Sequence, residues 1–345
     1  MILAEKISAF NKLGDAILKL SDANEPNKFL ETINSAHFQN PWFTPEFCKQ
    51  SINAITNEWL NTHSLNSWVS SYPKSYFNPT EPKQVGVVMA GNVPFVGLHD
   101  LLTVVITGHK FYGKVSSKDA GLTQAFVDLL VATEPRFNEA IKITDNKLEN
   151  FDAIIATGSD NTARYFEYYF GKYPNIIRKN RHSVAILTGK ESLDDLKGLA
   201  SDMLSYFGLG CRSVSKLLVP KNYNFEPLMQ AMEPYKHLIN HNKYANNHEY
   251  HRAIYLINQV EHLDNGFVLI KPDESLGSPV GVIYYQHYKD IDSVMSYINE
   301  HENSLQCIVS NEPKIKSKVS FGETQKPSLN DYADGIDTIK FLANL

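Results

Sequence analysis

Three observations predict an α/β protein built on parallel sheets. Short apolar runs recur between Val85 and Ser310, most are followed by a stretch with helical spacing, and turn residues stand where the first runs end. Strands alternating with helices of this length imply βαβ units, whose ligands lie beyond the carboxyl ends of the strands.

The elements follow in order. Ile2 to Leu20 carries apolar residues at helical spacing, and Thr44-Pro45-Glu46 reads as an N-cap and first turn for a helix over Phe47 to Leu60. Residues up to Ser71 are therefore expected as packing helices, and Tyr72 to Pro82, with three prolines, as a linker. Val85 to Ala90 reads as a strand, Gly91-Asn92-Val93-Pro94 as a turn, and the stretch through Thr107 as a helix. His109 to Val115 then reads as a strand, Gly121 to Ala132 as a helix, and Ala140 to Thr144 and Phe151 to Ala156 as strands, the last closing on Thr157-Gly158-Ser159. Val184 to Thr188 begins another strand, Ser192 to Met203 forms a helix, and Lys216 to Val219 is a strand. Asn222 to His251 is polar and partly helical. Ala253 to Ile257, Phe267 to Ile270, Val280 to Tyr285 and Gln306 to Ser310 read as strands of a second sheet, with a helix over Asp290 to Asn299.

Composition narrows the function. The formal net charge of −5 comes with interspersed signs and no basic stripe, so nucleic acid is not an expected partner. Three cysteines are too few for a disulfide framework and point to a reducing compartment. The Met1 to Lys6 start has no long apolar core before a cleavage site, and no apolar run approaches the roughly 20 residues that span a bilayer. A cytoplasmic protein without a membrane span is expected.

The chemistry centres on Tyr206-Phe207-Gly208-Leu209-Gly210-Cys211-Arg212-Ser213. Gly208 and Gly210 leave bare backbone beside Cys211, so a thioester carbonyl can approach the sulfur, and Arg212 supplies a cation that favours the thiolate. A lone cysteine in such a chain is more often an inert buried hydrophobe, so the flanking stretches must decide. The turn at Gly91 lacks G-x-G-x-x-G and is by itself a generic α/β turn. His237, His241, His248 and His251 include a pair four residues apart, but His-Glu-x-x-His is absent and no metal site is expected. The basic run Arg178 to His182 reads as a solvated face, although phosphate binding is its alternative. The aromatic run Tyr165 to Phe170 reads as core rather than an acyl tunnel.

Taken in order, these stretches resemble the aldehyde dehydrogenase superfamily, and within it the acyl-CoA reductases of the luciferase-operon fatty acyl reductase type. Asn92 matches the asparagine of the Pro-Trp-Asn-Phe-Pro segment, Lys114 the lysine at the adenosine ribose, and Ser116 and Ser117 the serines of Lys-x-Ser-Ser. Gly158 and Ser159 match the Phe-Thr-Gly-Ser turn at the pyrophosphate, Cys211 the catalytic cysteine, and Glu274 in Glu-Ser-Leu-Gly-Ser-Pro-Val the glutamate at the nicotinamide ribose. Phe321-Gly322 resembles the late Phe-Gly-Gly turn. The resemblance implies an aldehyde dehydrogenase-like fold: N-terminal helices with a Rossmann-type cofactor domain over 1–182, a catalytic α/β domain over 183–319, and a segment over 320–345 returning to the cofactor domain.

Aldehyde-oxidising members carry Glu-Leu-Gly-Gly before the strand leading to the cysteine, and that glutamate activates water. Here the stretch is Arg178-Lys179-Asn180-Arg181-His182-Ser183, without a carboxylate. A site that does not make hydroxide exchanges its acyl group with another thiol instead. His182 is a replacement base or, on the plainer reading, a surface or supporting histidine. The resemblance therefore implies NADPH-dependent reduction of long-chain acyl-CoA to the aldehyde, with Cys211 and Asn92 catalytic and Lys114, Ser116, Ser117, Gly158, Ser159 and Glu274 holding the cofactor. Reduction of an acyl phosphate is the alternative within the class. A cofactor-binding subunit without catalysis is the alternative outside it. The chain is short for the superfamily, which leaves a homo-oligomer or a partner enzyme open.

Overall fold

The computed structural model describes residues 1–22, 27–316 and 318–345. Its chain divides into two compact units, Met1–Asn180 with Lys326–Leu345, and Arg181–Gln325.

The first unit opens with helices α1 (Leu3–Asp22), α2 (Lys28–Gln39), α3 (Pro45–Glu58) and α4 (Thr62–Ser70). Thr44 caps α3 by accepting the Phe47 amide, and Pro45 takes a first-turn position where its missing N–H costs nothing. Then follow β1 (Gln84–Val88), α5 (Leu98–Ile106), β2 (Lys110–Lys114), α6 (Ala120–Thr133), β3 (Ile141–Thr144), β4 (Ala153–Thr157), α7 (Asp160–Phe170) and β5 (Asn175–Arg178). The strands make one parallel sheet ordered β3-β2-β1-β4-β5. Strand order reverses at β1, the place where open α/β sheets leave a crevice for ligands. Val88 pairs with both Lys114 and Ala156, so β1, β2 and β4 end level with one another. Phe10 and Leu13 of α1, Ile33 of α2 and Trp68 of α4 share one apolar core with Val85, Phe111 and Phe126, which makes the N-terminal helices the packing elements expected of them.

The second unit runs β6 (His182–Ile186), α8 (Leu193–Leu204), β7 (Val214–Pro220), α9 (Glu226–Ala231), α10 (Asn242–Ile257), β8 (Leu263–Asp264), β9 (Leu269–Pro272), β10 (Val282–Tyr288), α11 (Ile291–Glu300) and β11 (Leu305–Val309). Its sheet is ordered β11-β6-β7-β10-β9-β8, with only the short β8 antiparallel to its neighbour. Capping boxes start two of its helices, Ser192 with Asp195 at α8 and Asp290 with Ser293 at α11. The chain then returns to the first unit, where Ile339 and Leu342 of α12 (Thr338–Ala343) join the core.

Three expectations are corrected. Ala253 to Ile257 is not a strand but the end of α10, and Leu256 and Ile257 lie exposed; a short apolar run has no period long enough to separate the two states. Arg178 does not belong to a solvated face. It ends β5, a strand that the sequence pattern does not mark, and lies 4% exposed with its guanidinium on both oxygens of Asp100 (2.6 and 2.9 Å) and on the Thr338 hydroxyl. The aromatic run is split by helical phase: Phe166 and Phe170 turn inward, Phe170 against Phe151, while Tyr165, Tyr168 and Tyr169 are exposed.

Breaking a buried pair strands the other charge, which costs about 3–5 kcal/mol. Asp100→Ala is expected to lower unfolding stability by that amount in urea, and the double change Asp100→Leu with Arg178→Met by much less. A second titration concerns Lys6 of α1, 5% exposed, whose Nζ donates to the carbonyls of Ile106 and Phe77. Burial lowers its pKa from 10.5 to about 8, so between those values the unfolded chain binds the proton and the folded chain does not. Stability contributed by this group therefore rises with pH across that window. Urea unfolding at about pH 8 and about pH 10 is expected to show wild type gaining on Lys6→Met at the higher pH.

Candidate active site

In the first unit, the level ends of β1, β2 and β4 bring the predicted cofactor residues together. After β1 the Met89 amide still pairs with the Lys114 carbonyl at 3.0 Å, and the chain turns through Gly91, Asn92, Val93 and Pro94. Ser51 of α3 clamps this turn by donating to the Pro94 carbonyl at 2.9 Å. Phe95 follows with φ of 61°, in the left-handed region. Gly91 is required by close approach, since a Cβ there would stand 2.3 Å from Ser116 Oγ. Lys114 ends β2 half-buried, Ser116 is half-buried, and Ser117 and Asn92 are exposed. After β4, Gly158 donates its amide to the Arg178 carbonyl, and Ser159 caps α7 by accepting the Thr162 amide.

This edge fits a dinucleotide. The start of α7 presents backbone N–H groups that suit a pyrophosphate, and Lys114 adds a cation at the end of β2, beyond β1.

In the second unit, the end of α8 is kinked. Tyr206 and Phe207 have φ of 54° and 57°, followed by Gly208 at 71°. Left-handed backbone costs an ordinary residue roughly 1–2 kcal/mol, and packing holds it here: both side chains are buried, and the Phe207 ring sits against His241 and Tyr244. The kink delivers Cys211 to a half-buried position three residues before β7. The Cys211 carbonyl accepts the Ser183 hydroxyl at 2.9 Å, and the same hydroxyl accepts the Cys307 amide at 3.1 Å. Cys48 and Cys307 are buried thiols, and burial together with Asp119 pushes the Cys48 thiol up to about 12.

The residues after Cys211 are tied on both sides. Arg212 Nε donates to the Thr324 carbonyl, and Gln325 donates to the Ser213 hydroxyl at 3.3 Å. Ser215 Oγ then donates to the Leu276 carbonyl, and Lys216 Nζ to the Glu274 carbonyl at 2.6 Å. Strand β7 thus holds the backbone of the Glu274 stretch, leaving the Glu274 side chain exposed. Lys216 is fully buried, its ammonium 5.2 Å from the Tyr297 ring centre; burial lowers its pKa to about 8 against the opposing pull of Asp273 and Glu274. The His182 ring lies against the backbone of Gly277 in the same stretch.

Asn92, Lys114, Ser116, Ser117, Gly158 and Ser159 therefore gather at one sheet edge, and Cys211 and Glu274 lie in the other unit, linked through β7. Sequence reasoning passed over Ser183, Asp202, Lys216 and Thr324. One of them had a legible signal: a lysine inside the apolar run Val214 to Val219 is buried for a reason. Among the described residues no group of His, Cys, Asp and Glu is arranged to hold a metal ion, and no helix is long and apolar enough to cross a membrane.

The family model described as acyl-CoA reductase (LuxC) matches residues 42–319. The long-chain acyl-protein thioester reductase of Photorhabdus laumondii is 21% identical over 319 residues, and that of Aliivibrio fischeri 22% over 321. Each match covers 81% of this chain, which spans only 65% of the relative's length. Among solved structures, aldehyde dehydrogenase 21 from Physcomitrella patens superposes with a TM-score of 0.67 at 12% identity, covering 100% of this chain and 84% of its own. An aldehyde dehydrogenase from Bacillus cereus superposes with a TM-score of 0.62 at 14% identity, covering 91% and 73%. The fold is that of the aldehyde dehydrogenases, and the chain belongs to the acyl-CoA reductase (LuxC) family.

Proposed function

We propose that the protein reduces long-chain acyl thioesters of coenzyme A to fatty aldehydes with NADPH, through an acyl group carried on Cys211. The observation that carries this reading is the setting of Cys211: a half-buried thiol on a turn fixed through its own carbonyl, while the chain's two other cysteines are buried.

The Cys211 thiolate attacks the thioester carbonyl and forms the new C–S bond. The C–S bond to coenzyme A breaks, and its thiolate leaves and takes a proton. Asn92 and the Cys211 backbone N–H are assigned to the oxyanion formed on the way, a contribution of a few kcal/mol per donor in other acyl-transfer enzymes. Lys114, Ser116, Ser117, Gly158, Ser159 and Glu274 bind and orient the cofactor, with Lys114 and the two serines offered to a 2′-phosphate. When bound, the reduced nicotinamide supplies the hydride. The thiohemiacetal left on Cys211 then releases the aldehyde and restores the thiolate.

A second donor is favoured by the names of the relatives, which are acyl-protein thioester reductases. The chemistry at Cys211 is the same for either thioester.

The test follows NADPH absorbance with acyl-CoAs of increasing chain length, an acylated protein thioester and an acyl phosphate, with released thiol measured alongside. Consumption of NADPH equal to thiol release, at least about 10³-fold lower in Cys211→Ala, is expected. Activity on acyl phosphate alone, or none on any donor, would overturn the reading.

A further inference from the structure

Upstream of the kink, α8 carries a feature that the proposed chemistry leaves unused. Gly198 and Asp202 stand four residues apart on one helix face. The turn Phe321-Gly322 lies directly on Gly198: a Cβ there would meet the Phe321 carbonyl carbon at 2.8 Å and the Gly322 nitrogen at 2.9 Å. One helical turn on, the Asp202 carboxyl is 0% exposed and wholly given to the same segment. Oδ2 accepts the Gly322 amide at 2.7 Å, and Oδ1 accepts the Thr324 amide at 3.1 Å and the Thr324 hydroxyl at 2.8 Å. The far side of the segment is what binds the nucleophile loop: the Thr324 carbonyl accepts from Arg212 Nε, and Gln325 donates to the Ser213 hydroxyl.

We propose that Asp202 and Thr324 are positioning residues for Cys211, acting through residues 321–325 as a strap from the Gly198/Asp202 face of α8 to Arg212 and Ser213. The proposal deepens the reading above and rests on Cys211 being its nucleophile. The loop is entered through three successive left-handed residues and closed by two turn bonds of its own, Leu209 amide to Tyr206 carbonyl at 3.1 Å and Ser213 amide to Gly210 carbonyl at 3.0 Å, and contacts from outside anchor those turns to the rest of the unit. Ser183 fixes the Cys211 carbonyl; the strap fixes the next two residues. A carboxylate suits the task because it accepts from several donors at once without offering one. Its burial is also costly, which raises the Asp202 pKa to about 6 against the bonds from Gly322 and Thr324, with Glu323 adding to the rise. An apolar side chain there would leave the Gly322 and Thr324 amides without this acceptor, so the carboxyl holds the strap in one conformation.

The experiment acylates the full chain with p-nitrophenyl octanoate without cofactor, reading the nitrophenolate burst and the acyl mass on the Cys211 peptide. Asp202→Asn keeps the shape but turns an amino group toward the strap amides. It is expected to slow acylation at saturating ester roughly tenfold with half-saturation unchanged, the pattern of a reacting group that is misplaced while the ester still binds normally. Arg212→Gln is expected to show the same loss, and the double variant no more than either single one. Wild-type acylation in a folded Asp202→Asn, or a double variant whose loss is the product of the two, overturns the proposal. Gly198→Ala and Thr324→Val, which disturb the strap at its two ends, replace Asp202→Asn if melting shows that variant unfolded, and are judged by the same coupling to Arg212→Gln. If NADPH is not consumed but the coupling is found, only the reductase reading fails; if NADPH is consumed and the coupling is absent, only the strap fails.

Discussion

The Ser183 hydroxyl is the contact on which the arrangement around Cys211 depends. It lies on β6, between β11 and β7, and is 0% exposed. There it donates to the Cys211 carbonyl and accepts the Cys307 amide, so one oxygen joins the Cys211 turn to two strands of the sheet. Without that oxygen the Cys211 carbonyl and the Cys307 amide would each lose a hydrogen bond, at a net cost of about 0.5–1.5 kcal/mol apiece. The same sharing of contacts explains why the turn can hold unfavourable backbone at Tyr206 and Phe207: the penalty of a few kcal/mol is offset by two buried aromatic side chains and by bonds at either end of the turn.

Both units solve one problem in the same way. Parallel strands leave their functional residues on irregular loops, whose amides and carbonyls have no ladder to pair with. Buried polar and charged side chains take those groups instead. Ser51 takes the Pro94 carbonyl beyond Asn92, Asp202 binds two amides and a hydroxyl of the strap, and Lys216 takes the Glu274 carbonyl. In a low-dielectric interior such bonds are strong and their absence is expensive, which favours a single loop conformation over an ensemble. Their cost appears in titration: burial raises Asp202 above the ordinary carboxylate value and lowers Lys216.

How much of this is legible in the sequence follows from the range of each signal. The order of strands and helices is legible because periodicity and turn residues are local, as at Thr44-Pro45 and at Ser192. The placement of Asn92 and of the Lys114 to Ser117 stretch at the ends of β1 and β2 is legible because each follows a short apolar run. Asp202 and Thr324 are not, since they are 122 residues apart and neither belongs to a local pattern. Arg178 misleads for the same reason: a basic run is solvated unless a distant carboxylate reaches it, and Asp100 lies 78 residues away. Ala253 to Ile257 misleads differently, because a run of apolar and β-branched residues fits a strand locally while the helix starting at Asn242 simply continues through it.

The burial of Arg178 bears on the chemistry. Where the resemblance places the glutamate that activates water in aldehyde-oxidising enzymes, this chain has basic residues, and the structure gives them other contacts. Arg178 is locked on Asp100, Lys179 pairs with Glu167 at 3.0 Å, Arg181 donates to the Leu305 carbonyl, and the His182 ring rests on Gly277. The stretch carries no carboxylate to activate water. Under the proposed function that is an advantage: an acyl group on Cys211 that water attacks slowly persists until hydride reaches it, so the direction of reaction is decided as much by the base the site omits as by the nucleophile it holds.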